Sequence, residues 1–166
     1  MSQQGSLLTG GGGNLPGNSV QFVQAATGAN VSIVTTIPRD GSIPQQTEGT
    51  EFLTLAITPT KATNRLVLTC AINAQLTAVG GSRHAVGALF QDTTANALTS
   101  ITMESTTIAL TSAGTFTLHY TMIAGTILPT TFKLRAGLNV AGGTLDINPT
   151  SYGNVITTFT IMEIEV

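Results

Sequence analysis

The chain has 166 residues, a formal net charge of −2, 8% charged and 42% hydrophobic residues, 18 glycines and no tryptophan. That length suits one domain with an arm, and the apolar content with so little charge excludes disorder of the whole chain. Six Lys and Arg together cannot supply the basic face that phosphate backbones require, so a nucleic-acid partner is not expected.

The single cysteine, Cys70, excludes an internal disulfide and a multi-cysteine zinc site. The first charged side chain is Arg39, so no basic segment precedes an apolar stretch as in an export signal. No apolar run reaches 18 residues, so no helical membrane span is expected. Use without export, after synthesis in a cytoplasm, is the expectation. Asn30 of the sequon Asn30-Val-Ser32 then reads as an ordinary polar residue.

In chain order, residues 1–18 carry Gly10 to Gly13 and then Pro16-Gly17, which predicts a flexible arm. Leu7, Leu8, Leu15 and Pro16 are its candidate docking residues. No Gly-Lys-Ser/Thr follows, so the glycines are not a phosphate loop. Residues 19–166 read as a single domain. About 30 threonines mix with Ile, Val and Leu while Lys and Glu are scarce, an all-β composition. Strands are predicted at 19–25, 30–37, 50–58, 65–76, 84–91, 98–109, 115–123, 131–140 and 154–165, with a short piece at 144–148. Pro38-Arg-Asp-Gly41, Thr58-Pro59, Gly80-Gly81, Gly114, Gly125, Gly142-Gly143 and Asn148-Pro149 mark the breaks. Many short strands with frequent turns predict an antiparallel β-sandwich or barrel.

The strands divide into two kinds. In 131–140, Phe132, Leu134, Ala136 and Leu138 share one face and Thr131, Lys133 and Arg135 the other, as in a strand with one wet face. Segments 65–76, 115–123 and 154–165 are short of charge on both faces. A sandwich buries only the inner face of each sheet. A second dry face needs a cover, and another copy of the chain is the economical one. A homo-oligomer of cyclic symmetry is therefore expected, with Val67, Ala71, Tyr120, Phe159 and Ile161 as interface candidates.

Catalytic signatures are missing. His84 and His119 lie on different strands, and no His-Glu-x-x-His, Gly-x-Ser-x-Gly or calcium-loop pattern occurs. Glu163 and Glu165 sit two residues apart on the last strand; a solvated strand end that blunts edge pairing is favoured over a glycosidase pair. His119 beside Tyr120 could gather ions near a threefold axis, but a hydrogen-bonded sheet histidine is the simpler reading. Cys70, in an apolar strand without a neighbouring cation, reads as an inert thiol. No catalytic, metal-binding or cofactor-binding residue is assigned, and a non-enzymatic protein with no cofactor is expected.

Residues 36–52, Thr-Ile-Pro-Arg-Asp-Gly-Ser-Ile-Pro-Gln-Gln-Thr-Glu-Gly-Thr-Glu-Phe, resemble the opening of a group of bacteriophage virion proteins. Ala56-Ile-Thr-Pro-Thr60, residues 88–98 (Ala-Leu-Phe-Gln-Asp-Thr-Thr-Ala-Asn-Ala-Leu), Leu118-His-Tyr-Thr-Met122, residues 130–137 (Thr-Thr-Phe-Lys-Leu-Arg-Ala-Gly) and Thr157 to Glu165 follow in order. The likeness spans roughly residues 20–166. It implies a jelly roll of the tumour-necrosis-factor type, assembled as a homotrimer on the virion surface as a tail-fibre tip, head fibre or other projection. It assigns 19–25, 30–37, 65–76, 115–123 and 154–165 to the sheet on the threefold axis and puts Tyr120 at the contact. The implied partners are the chain itself, a capsid or tail protein, and a host glycan or receptor; membrane insertion is not implied. A short arm in place of a long shaft favours a small stand-alone virion protein. Loops 77–83, 92–97, 124–130 and 141–151 are the expected host-facing segments, with Tyr152 the nearby aromatic. A carbohydrate-binding module and a capsid-stabilising decoration protein without host contact are the alternatives.

Overall fold

A computed structural model describes residues 17–78, 83–104 and 111–166. The arm candidates Leu7, Leu8, Leu15 and Pro16 lie outside these residues. Ten strands occur in them: β1 (Ser19–Thr27), β2 (Val31–Ile33), β3 (Thr50–Ile57), β4 (Arg65–Ala78), β5 (His84–Gln91), β6 (Thr99–Glu104), β7 (Thr111–Ile123), β8 (Thr130–Leu138), β9 (Gly143–Ile147) and β10 (Thr157–Ile164). A three-residue 3₁₀ turn, Thr150–Tyr152, is the one helical element among the described residues.

The strands form two antiparallel sheets. One runs β3-β8-β5-β6. In the other, β4 pairs β7 along one side; along its other side it pairs β10 and then β9, which in turn pair β1 and β2. Setting aside the short β2 and β9, the eight long strands pair first with eighth, eighth with third, and third with sixth. In the second sheet they pair second with seventh, seventh with fourth, and fourth with fifth. That is the strand order of a jelly roll. The expected strands 19–25, 65–76, 115–123 and 154–165 do share one sheet, and 30–37 joins it through Val31–Ile33 alone.

The core lies between the sheets. Leu66, Leu68, Cys70, Ile72 and Leu76 of β4 meet Phe132, Leu134 and Leu138 of β8, all fully buried. These are the alternate residues that the period of two places on one face. Gly87 of β5 leaves room for Phe116, since a Cβ there would come within 2.7 Å of the ring.

A second, smaller core covers the outer face of the β3-β8-β5-β6 sheet. Val86, Ala88 and Phe90 of β5 point away from the main core and are buried under Ile37, with Ala97 beside them. Strand β2 therefore ends at Ile33, and residues 34–37 leave their sheet. They cross the other one, where Thr36 bridges Leu138 and the Ile37 amide donates to the Leu138 carbonyl (2.8 Å). The crossing is close: a Cβ on Gly137 would lie 2.8 Å from the Ile37 nitrogen. Arg135 holds the far end of this strap through Nε to the Glu48 carbonyl (2.8 Å) and Nη2 to the Gly49 carbonyl (2.9 Å), and pairs with Glu51 (3.4 Å). The strand buried on both faces is thus β5, and the chain's own strap covers it.

Candidate functional site

The outward face of β1, β10, β4 and β7 is fixed by register. Leu68 is a core residue, and Val23, Ile161, Leu68 and Tyr120 form one row across the four strands. Cross-strand partners share a face, so that row and the neighbouring Phe159 point inward. Phe159 and Ile161 are 0% exposed within one chain. Both were expected at the interface; they are core residues instead, because their partners Cys70 and Leu68 face the opposite sheet. Tyr120 also stands on the core side, half-buried, on a strand with β4 as its partner along one side. Val67 and Ala71 do point outward.

Three further rows make up that outward face: Phe22–Met162–Val67–Thr121, then Gln24–Thr160–Thr69–His119, then Ala26–Thr158–Ala71–Thr117. Phe22 is 58% exposed. His119 Nδ1 lies 3.1 Å from the Thr69 hydroxyl, a cross-strand hydrogen bond. Arg65, between Ile164 and Ile123 at one end, is the one charged residue of the face on these four strands. The face is therefore threonine-rich and carries its one charge at the rim, with an apolar band beside Arg65. It is less greasy than expected, because the bulkier residues Tyr120, Phe159 and Ile161 went inward. Phe22 and Met162 are the residues that sequence reasoning missed here. Strand β1 alternates weakly, and only the register with β10 puts them beside Val67.

The loops divide between two ends. Gly17, residues 58–64, 92–98 and 124–129, and Val166 share the end where Arg65 and Ile123 lie. Residues 28–30, 139–142 and 148–156 lie at the other, beyond Thr27, Leu138 and Ile147. The four expected host-facing loops thus do not gather at one end: 92–97 and 124–130 emerge beside Gly17, while 141–151 emerges opposite. Of 77–83, residues 79–82 lie outside the described residues.

At the end away from Gly17, an open-sided pocket of about 270 Å³ is lined by Asn73, Gly114, Thr115, Pro149, Tyr152 and Val155, among others. Hydrogen bonds set its floor. Asn73 Nδ2 donates to the Ile156 carbonyl (2.7 Å), its Oδ1 accepts from the Thr115 hydroxyl (2.6 Å), and its carbonyl accepts from the Asn148 amide (2.9 Å). Asn148, at φ 51°, is buried and sends Nδ2 to the carbonyls of Thr27 (2.9 Å) and Ala29 (3.1 Å), while Oδ1 accepts from the Thr157 hydroxyl (2.9 Å). The Ser151 hydroxyl ties the 3₁₀ turn to Gln75 (3.0 Å). Asn30, the sequon residue, donates to the carbonyls of Ile147 and Asn148.

The carboxylate pair is not a solvated strand end. Glu163 is 0% exposed beneath loop 58–64. Its Oε1 accepts from Thr60 N and Oγ1 (both 2.8 Å), Asn64 Nδ2 (2.7 Å) and Lys61 N (3.4 Å). Burial alone would raise its pKa, but these donors together hold it below the ordinary glutamate value. Glu165 pairs instead with the Lys61 ammonium. Burial pushes the Cys70 thiol up to about 12, so it stays protonated and inert. Among the described residues no three His, Cys, Asp or Glu side chains gather as a metal site.

No family model and no curated protein matches the chain. Among solved structures it is similar to dimeric latent PorU from Porphyromonas gingivalis, at 12% identity and a TM-score of 0.38 over 94% of this chain. The chain spans 14% of the PorU chain. It is also similar to Eiger TNF from S. frugiperda, at 12% identity and a TM-score of 0.43, over 87% of this chain and 94% of that one.

Proposed function

We propose that this chain is a non-enzymatic structural protein of a bacteriophage particle, acting as a homotrimeric projection on the capsid or tail. The observation that carries the self-association is the outward face of β1, β10, β4 and β7, which bears Arg65 as its one charge while exposing Phe22 next to Met162 and Val67. The outer face of the other sheet contrasts with it: Glu51, Lys133 and Arg135 stand there, and the strap covers the apolar part. One sheet is closed by its own chain, and the other presents a surface suited to further copies.

In a cyclic trimer the contact repeats head to tail, so the β7 edge of one copy, with half-buried Tyr120 and Met122, meets the outward face of the next. Close approach suits the small side chains Ala71, Thr117 and Thr158, and no ionised group need be desolvated between the Arg65 row and Asn73. The particle assignment is supported by the sequence likeness, whose motifs meet in one place: Thr36 to Phe52, residues 88–98 and residues 130–137 are the strap, the strand it covers and the strand that anchors it.

Immunogold electron microscopy of particles purified from cells expressing the gene, with antibody to residues 17–166, tests the location. Gold on intact particles is expected, at the shell for a head fibre or decoration protein and at the tail for a fibre tip. Gold confined to debris would contradict the proposal.

A further inference from the structure

We propose that the pocket beneath Tyr152 is a binding site for a neutral saccharide unit. Its lining narrows the ligand by chemistry. No ionised side chain lines it, so a charged ligand would find no counter-charge. A wholly apolar ligand would bury the Asn73 amide and the Thr115 hydroxyl without new partners. A sugar ring meets both conditions, with a C–H face for an aromatic ring and hydroxyls for amides and hydroxyls.

The aromatic is in place. Tyr152 is 55% exposed, and its phenol makes no hydrogen bond to the described residues. It sits on a turn fixed by Tyr152 N to the Pro149 carbonyl (3.3 Å) and Gly153 N to the Thr150 carbonyl (3.3 Å), with Gly153 at φ 78°. Pro149 and Val155 extend the apolar side of the pocket. Asn73 has one partner on each side-chain atom, Ile156 for Nδ2 and Thr115 for Oδ1, which leaves one N–H and one lone pair for a ligand. The floor is held before any ligand arrives, so little ordering cost remains. A volume of about 270 Å³ falls just below the range for drug-sized ligands, as suits a single ring.

The site borders the face assigned above to self-association, since Asn73 and Thr115 form the next outward row beyond Ala71 and Thr117. Asn73 lies six residues along β4 from Val67, roughly 20 Å at strand rise, and the pocket opens at the end opposite Gly17. The inference needs neither a trimer nor a virion.

The test uses the full chain and saturation-transfer NMR with the methyl glycosides of glucose, galactose, mannose and N-acetylglucosamine. Sialyllactose serves as the anionic probe, and an immobilised array of neutral polysaccharides as the polymeric source. At least one neutral glycoside should bind with millimolar affinity, and polysaccharides of the same sugar should bind more tightly if three sites act together. Tyr152→Ala should weaken binding about tenfold or more, and Tyr152→Phe should stay within about threefold, while the melting temperature and sedimentation of both remain those of the parent. Absence of binding to every neutral glycoside, undiminished binding by Tyr152→Ala, or a preference for sialyllactose would each overturn the proposal. Binding to a polysaccharide without saturation of any glycoside would place recognition elsewhere and overturn it too.

Discussion

Glu163 Oε1 accepts four hydrogen bonds, and no ion pair among the described residues reaches the carboxylate. Because its folded pKa is lowered, the folded state holds fewer protons than the unfolded state between the two values, and stability rises with pH there. The contribution is complete above the unfolded value, about 4.3, and is lost as pH falls through the folded value. Urea midpoints should therefore decline on acidification below about pH 4, and by less in Glu163→Gln, which keeps an acceptor but does not titrate. Equal acid sensitivity of the two proteins would contradict this. Glu163→Ala should cost about 3 kcal/mol, because the Asn64 amide and the Thr60 amide and hydroxyl lose their acceptor. In the sequence, Glu163 and Glu165 look alike. Only the fold of loop 58–64 separates a buried acceptor from a surface ion pair. Gly87 is a second residue whose role depends on a distant contact. Gly87→Ala should cost about 1–3 kcal/mol by pressing on Phe116, measurable as a lowered melting temperature.

Strand positions were legible because turn residues and alternation are local signals. Each of the ten segments holds a strand, 98–109 being described as far as Glu104, though β7 runs through Gly114, which reads as a break, and β10 starts later than expected, at Thr157. The faces were legible only where one side carries charge, as in β8. In β10 both sides are apolar, so neither volume nor hydropathy could tell Phe159 and Ile161 from Met162 and Ile164; the pairing with β4 decides it. The strap was not legible at all. Residues 30–37 alternate like one strand, but Gly137 and Arg135, a hundred residues later, draw 34–37 onto the other sheet. Arg135→Ala removes two hydrogen bonds and an ion pair at the strap's end, at a cost of about 2 kcal/mol. Trypsin cleavage after the exposed Arg39 should then be several-fold faster than in the parent. An unchanged rate would mean that Ile37 alone holds the strap.

At the scale of the molecule, closure of the two sheets is unequal. The strap seals one outer face with Ile37 over Phe90, while the other shows Phe22, Met162 and Val67 in a field of Thr, Ala, Gln and His. Hydropathy along the chain pointed to a sheet whose outward face carries little charge, but two of the five interface candidates, Phe159 and Ile161, are core residues. A charge introduced at Val67 or Met162 enters the outward face and leaves the core intact. A charge at Phe159 would strike the core and unfold the chain, which is why the outward positions are the diagnostic ones. Sedimentation equilibrium of the parent and of Val67→Asp across a range of concentrations measures this directly. The parent should run at three chain masses, and Val67→Asp at one, with an unchanged circular dichroism spectrum. A parent that stays at one chain mass at every concentration would contradict a sparsely charged face covered by copies of itself.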